Sequence, residues 1–156
     1  MKRALVVVLA MVTSVAVAIP AASGARTKPK PLKAVSKGWY VFDGVGTASR
    51  APKNGSYTRC TNDPNTPPVY KLGARYRIKN RAAPKGKTKH LLSGPSGIRF
   101  RHPTSAKTKP GAYYHEFSAT AIGRTSLPPG KYTYRLKVKS KILTKMTITL
   151  VDDTTC

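Results

Sequence analysis

Leu127-Pro128-Pro129-Gly130-Lys131-Tyr132-Thr133-Tyr134-Arg135-Leu136-Lys137-Val138-Lys139 decides the fold class. After the Pro-Pro-Gly break, Tyr132, Tyr134, Leu136 and Val138 alternate with Lys131, Thr133, Arg135, Lys137 and Lys139. Successive strand side chains point to opposite faces, so this period of two predicts a half-buried β-strand. Downstream, a short turn over Ser140–Thr144 leads to Met146, Ile148 and Leu150, which alternate with Thr147, Thr149 and Val151. Upstream, residues 70–79 carry apolar or aromatic side chains at every even position and cations or Gly at every odd one. Residues 98–101 repeat the pattern in miniature, and residues 38–43 and 112–122 complete about six strands. The breaks between them are rich in turn formers: Asn54-Gly55, Pro67-Pro68, Pro84-Lys85-Gly86, Gly94-Pro95 and Pro110-Gly111. Short strands punctuated in this way, with almost no helical periodicity and no internal repeat, predict an all-β chain. We expect a single antiparallel β-sandwich of about six to seven strands.

Leu127, Pro129, Gly130 and Tyr132 form L-x-P-G-x-Y at the start of an alternating strand. The motif resembles the tyrosine corner of immunoglobulin-like and fibronectin type III-like sandwiches, whose Tyr hydroxyl bonds back to the preceding corner. The chain departs from a true immunoglobulin domain in two respects. Its only tryptophan, Trp39, falls in the first strand, and its two cysteines are not spaced as an inter-sheet pair. The resemblance implies a fold and no activity, because such sandwiches host many functions.

The amino terminus has the form of an export signal. Met1-Lys2-Arg3 is followed by uncharged, mostly apolar residues from Ala4 to Ile19 and by Ser23-Gly24-Ala25, a small-x-small cleavage pattern. At about 16 residues the run is shorter than the roughly 20 needed to span a bilayer. The expectation is a signal peptide over residues 1–25, a basic flexible arm over residues 26–37 and a sandwich domain over residues 38–156. The mature chain would be secreted and would lack a transmembrane segment. In an oxidising compartment the only two cysteines, Cys60 and Cys156, are expected to pair.

Charge is the most unusual property of this sequence. It holds 29 Lys and Arg against 5 Asp and Glu, a net +24, which falls to +22 when Lys2 and Arg3 leave with the signal. If residues 99–101 and 131–139 occupy one sheet, as the third and sixth strands of an immunoglobulin-like sandwich would, Arg99, Arg101, Lys131, Arg135, Lys137 and Lys139 share its outer face. Such a face attracts anionic polymers through counterion release without reading a sequence. Teichoic or uronic acid polymers of cell walls, extracellular DNA and anionic membranes are the candidate partners. Because the tyrosines of the 131–139 strand alternate inward, the same pattern predicts no specific nucleic-acid readout. The competing structural account is a solvated, edge-protecting face.

For catalysis the chain offers few resources. It contains no phosphate loop, no G-x-S-x-G elbow and no H-E-x-x-H. His90 and His102 lie in basic, loop-like surroundings that suggest exposed surface residues. Asp152 and Asp153 suggest a solvated turn, and no metal or cofactor is expected. Tyr113-Tyr114-His115-Glu116-Phe117-Ser118, with a Cys at the carboxyl end, is similar to the Glu-bearing strand and terminal disulfide of small secreted microbial guanyl-specific ribonucleases. That resemblance implies Glu116 as general base and Arg124 or Arg135 as phosphate clamp. The chain departs from the family in having no His between Lys131 and Cys156 and no recognisable helix after Cys60. The expected function is a secreted, non-enzymatic, surface-associated module that contacts anionic polymers, with the ribonuclease-like enzyme as the alternative.

Overall fold

The computed structural model describes residues 31–44, 48–80, 87–105 and 109–156. The expected signal peptide and residues 26–30 of the arm lie outside them. Among the described residues the alternating stretch is strand β8 (Gly130–Val138), which buries Tyr132, Tyr134 and Leu136 completely. β8 sits in a five-stranded sheet ordered β3-β9-β8-β5-β6, made with β3 (Asn54–Cys60), β5 (Lys87–Ser93), β6 (Arg99–Ser105) and β9 (Lys141–Asp153). A four-stranded sheet, ordered β2-β1-β4-β7, packs across it. Its members are β1 (Ala34–Phe42), β2 (Ala48–Ala51), β4 (Lys71–Ile78) and β7 (Gly111–Ser118).

This connectivity is that of an immunoglobulin-like sandwich. β4 and β7 pair in one sheet as strands B and E do, while β5, β6, β8 and β9 fill the places of C, C′, F and G in the other. The corner expected from L-x-P-G-x-Y is formed: the Tyr132 hydroxyl donates to the Pro128 carbonyl at 2.8 Å. Gly130 enters the strand at φ +132° with the Pro95 ring 3.0 Å from where a Cβ would sit, a conformation and a space that suit only glycine. Burial pushes the Tyr132 pKa up to about 12, against a smaller opposing effect of Arg124, so the hydroxyl remains a donor.

Between the sheets the core contains Trp39, Val41, Leu72, Phe117, Tyr134, Met146 and Ile148. Trp39 projects from the first strand, donates Nε1–H to the Thr147 carbonyl at 3.2 Å and meets the edge of Tyr134. Cys60 and Cys156 form the expected disulfide, with their Cα atoms 5.7 Å apart. The bond reinforces a parallel pairing of β3 with the last strand and a bidentate Arg59–Asp152 ion pair at 3.0 and 2.6 Å. Asp152 is therefore paired with Arg59, and Asp153 accepts from Thr155 N–H at 2.8 Å, where a merely solvated turn was expected.

Several local expectations are corrected. The strand expected from residue 38 begins at Ala34, because Ser36 turns inward and bonds Thr144 Oγ1 at 2.5 Å; residues 34–37 therefore belong to β1 and not to an arm. Asn54-Gly55, read as a turn, opens β3, with Asn54 Oδ1 accepting from Thr147 N–H. The strand expected over 112–122 ends at Ser118, and a 3-10 turn over Ala119–Ile122 follows. Residues 140–144 shrink to a two-residue connection, Lys139-Ser140, with Lys139 at φ +53°.

Candidate functional site

Because β8 buries its even positions, its odd ones face outward, and β5 fixes what lies beside them. Leu91 is opposite both Arg101 of β6 and Arg135 of β8, and Arg135 is in turn opposite Lys145 of β9. One strand-row therefore reads Arg101, Leu91, Arg135, Lys145 across the sheet. In the adjoining row Lys89 is opposite Lys137. Strands lie about 4.8 Å apart, so Arg101 and Arg135 are separated by about 10 Å at the backbone. Arg99 and Lys131 continue the face toward the other end, opposite Ser93 and Thr149 respectively.

Five of the six cations expected to share a face, Arg99, Arg101, Lys131, Arg135 and Lys137, project from the outer side of this sheet. Lys139 lies in the β8–β9 turn at the rim. Sequence reasoning missed Lys89 and Lys145. β5 carries Thr88 and His90 at two of its inward positions, so its alternation of Lys89 and Leu91 against Thr88, His90 and Leu92 does not stand out as apolar against polar. In hindsight that alternation is the signal.

No acid stands opposite a cation in these rows. Of the five acidic residues, Glu116 is bound to Lys71 at 3.0 Å on the opposite sheet and Asp152 to Arg59 at the end of β9. Asp153 shares the parity of Lys145 but ends β9 eight residues away, where Thr155 hydrogen bonds hold its carboxyl below the usual range. These are the only two ion pairs among the described residues. Two cross-strand pairs of like charge, Lys89/Lys137 and Arg135/Lys145, therefore stand without compensation, an arrangement that costs stability.

His90 and His102 do not lie exposed on the surface as expected, and His115 joins them. His90 is buried and shares a 3.0 Å hydrogen bond with the Tyr134 hydroxyl. His115 reaches from β7 across the gap between the sheets, stacks on His90 with ring centroids 3.9 Å apart and bonds His102 through Nε2···Nδ1 at 2.8 Å. Burial first, and His102 second, push the His115 pKa down to about 4, against a smaller opposing effect of Glu116. Among the described residues no group of three or more His, Cys, Asp or Glu side chains is disposed to hold a metal ion. No helix among them is long and apolar enough to cross a membrane.

The residues implied by the ribonuclease resemblance do not converge. Glu116 points outward from β7 and Arg135 outward from β8, so the two occupy opposite outer surfaces of the sandwich. Arg124 follows the 3-10 turn and acts on Tyr132.

Strand order and tyrosine corner together define an immunoglobulin-like β-sandwich with one uncompensated cationic face. No protein family and no curated protein matches the sequence. Among solved structures, an immunoglobulin-like protein from Pseudomonas aeruginosa is similar over 81% of this chain and 99% of its own, at 15% identity and a TM-score of 0.39.

Proposed function

We propose that the protein is exported and acts without catalysis, using the outer face of the five-stranded sheet to bind anionic polymers at or near cell surfaces. The observation that carries this reading is the pair of like-charged cross-strand contacts, Lys89/Lys137 and Arg135/Lys145, with no acid opposite any of the four. A face that served only solubility would gain stability by placing a carboxylate at one member of each pair. The cost is recovered when a polyanion lies across the strands and releases its counterions. Teichoic and uronic acid polymers and nucleic acid backbones all present the required charge.

Retention of residues 26–156 on an immobilised polyanion, measured as a function of salt, tests the proposal. The logarithm of affinity should fall linearly with the logarithm of salt, and Arg101→Ser/Arg135→Ser/Lys145→Ser should lower the slope by about 1 for each lost phosphate contact. If the triple variant elutes at the same salt as the wild type, this face is not the binding surface.

A further inference from the structure

The opposite outer surface, on the four-stranded sheet, has a different chemistry. Its central position is Gly73 of β4, flanked directly by Tyr40 of β1 and Glu116 of β7, with Arg50 of β2 beyond Tyr40. The neighbouring row reads Ser118, Lys71, Phe42, Ala48, and on the other side Arg75 lies opposite Tyr114. Since Gly73 has no side chain, the rings around it enclose a trough of about 290 Å³ lined by Tyr40, Phe42, Ala48, Tyr114 and Glu116. A Cβ on Gly73 would come within 3.3 Å of Tyr40 and 3.4 Å of Phe42, so glycine keeps the floor open.

Two of the three rings carry a cation over their face. The Arg75 guanidinium lies 4.8 Å from the Tyr40 ring centre, the Lys71 ammonium 4.7 Å from that of Phe42, and Arg50 5.9 Å from Tyr40. Tyr114 meets the edge of Tyr40 and is 59% exposed, the most exposed large apolar side chain described. The inward tyrosines of β8 argue against base stacking on the five-stranded sheet, but this face has what that one lacks.

We propose that the trough binds single-stranded nucleic acid, stacking one unpaired base on Tyr114 above Gly73 while Arg50, Lys71 and Arg75 hold the flanking phosphates. Alternating flat rings and cations matches a polymer that alternates flat bases and phosphates, and the electrostatic complement is favourable. Glu116 separates this ligand from an acidic polysaccharide. Its Oε2 accepts from Lys71 and its Oε1 has no partner among the described residues, so it can accept from the amino edge of a base such as cytosine. A uronate carboxylate in the same place would be repelled. Duplex is excluded from the trough because its bases are already stacked, although its backbone suits the cationic face of the other sheet. The site therefore goes beyond the proposed function and stands on a different surface.

Fluorescence anisotropy with labelled oligodeoxycytidylate, a duplex of equal length and polygalacturonate tests the inference on residues 26–156. Tyr114 is exposed, so Tyr114→Ala should fold normally, lower affinity for the single strand about tenfold and leave the duplex unchanged. Glu116→Gln should reduce the preference for oligodeoxycytidylate over oligothymidylate. The inference is overturned if the single strand does not bind, if Tyr114→Ala binds it within twofold of the wild type, or if polygalacturonate is the ligand that loses affinity. The triple cationic-face variant, assayed alongside on duplex, reports separately on the polyanion reading.

Discussion

Acidification should weaken this sandwich through His115. The ring is half-buried between the sheets, stacked on His90, bonded to His102 and packed edge-on against Phe117. Its folded pKa of about 4 lies below the ordinary imidazole value of 6.5, so the fold favours the neutral ring. The stability tied to that preference is complete above pH 6.5, where both states hold the ring neutral. It is lost as pH falls toward 4, because the unfolded chain takes up the proton first. The full interval between 6.5 and 4 corresponds to about 3 kcal/mol. Solvent reaching the half-exposed ring screens part of this, leaving about 1–2 kcal/mol. Urea unfolding followed by fluorescence of Trp39, the single and fully buried tryptophan, measures the loss at pH 7.5, 5.5 and 4.0. Carboxylate titration is common to both proteins and largely cancels when the wild type is compared with His115→Gln. The wild type should lose about 1–2 kcal/mol more than the variant across that range. Equal losses would show that His115 is not held neutral by its position between the sheets.

Two further outcomes follow from the corner and the disulfide. Tyr132→Phe removes the bond to the Pro128 carbonyl and should lower unfolding free energy by about 1 kcal/mol in urea, with an unchanged m-value. Cys60→Ser opens a loop whose ends are 96 residues apart and should cost about 4 kcal/mol by the chain-entropy estimate; a change below about 1 kcal/mol would mean that β3–β9 pairing alone constrains the chain ends.

What the sequence disclosed, and what it hid, follows from how each strand is buried. β4, β8 and the second half of β9 each set one apolar face against one polar face, so alternation reveals them. β3 is largely exposed on both sides and held by a parallel pairing and a disulfide, so its residues carry no alternation and Asn54-Gly55 looks like a turn. β5 turns Thr88 and His90 inward, where Thr104 and Tyr134 satisfy their polar atoms, and period-two hydrophobicity fails for that reason. The same buried polar positions explain the histidines. His90, His102 and His115 come from three strands and two sheets, and their meeting depends on pairing that no local pattern encodes.

The two outer faces divide along the same line. Lys131, Arg135 and Lys137 were legible because they alternate within one strand, Arg99 and Arg101 joined them through the strand order of an immunoglobulin-like sandwich, and Lys89 and Lys145 required the register. The trough around Gly73 was not legible, because its rings come from β1 and β7 and its cations from β2 and β4, with a glycine at the centre that has no chemistry of its own. A charged face therefore follows from composition and period, whereas a shaped one follows from strand order. The trough is the feature of this molecule that composition could not have supplied, and the proposed selectivity among anions originates there. Counterion release on the other face is indifferent to what lies between the phosphates, while an exposed ring beside a carboxylate is not.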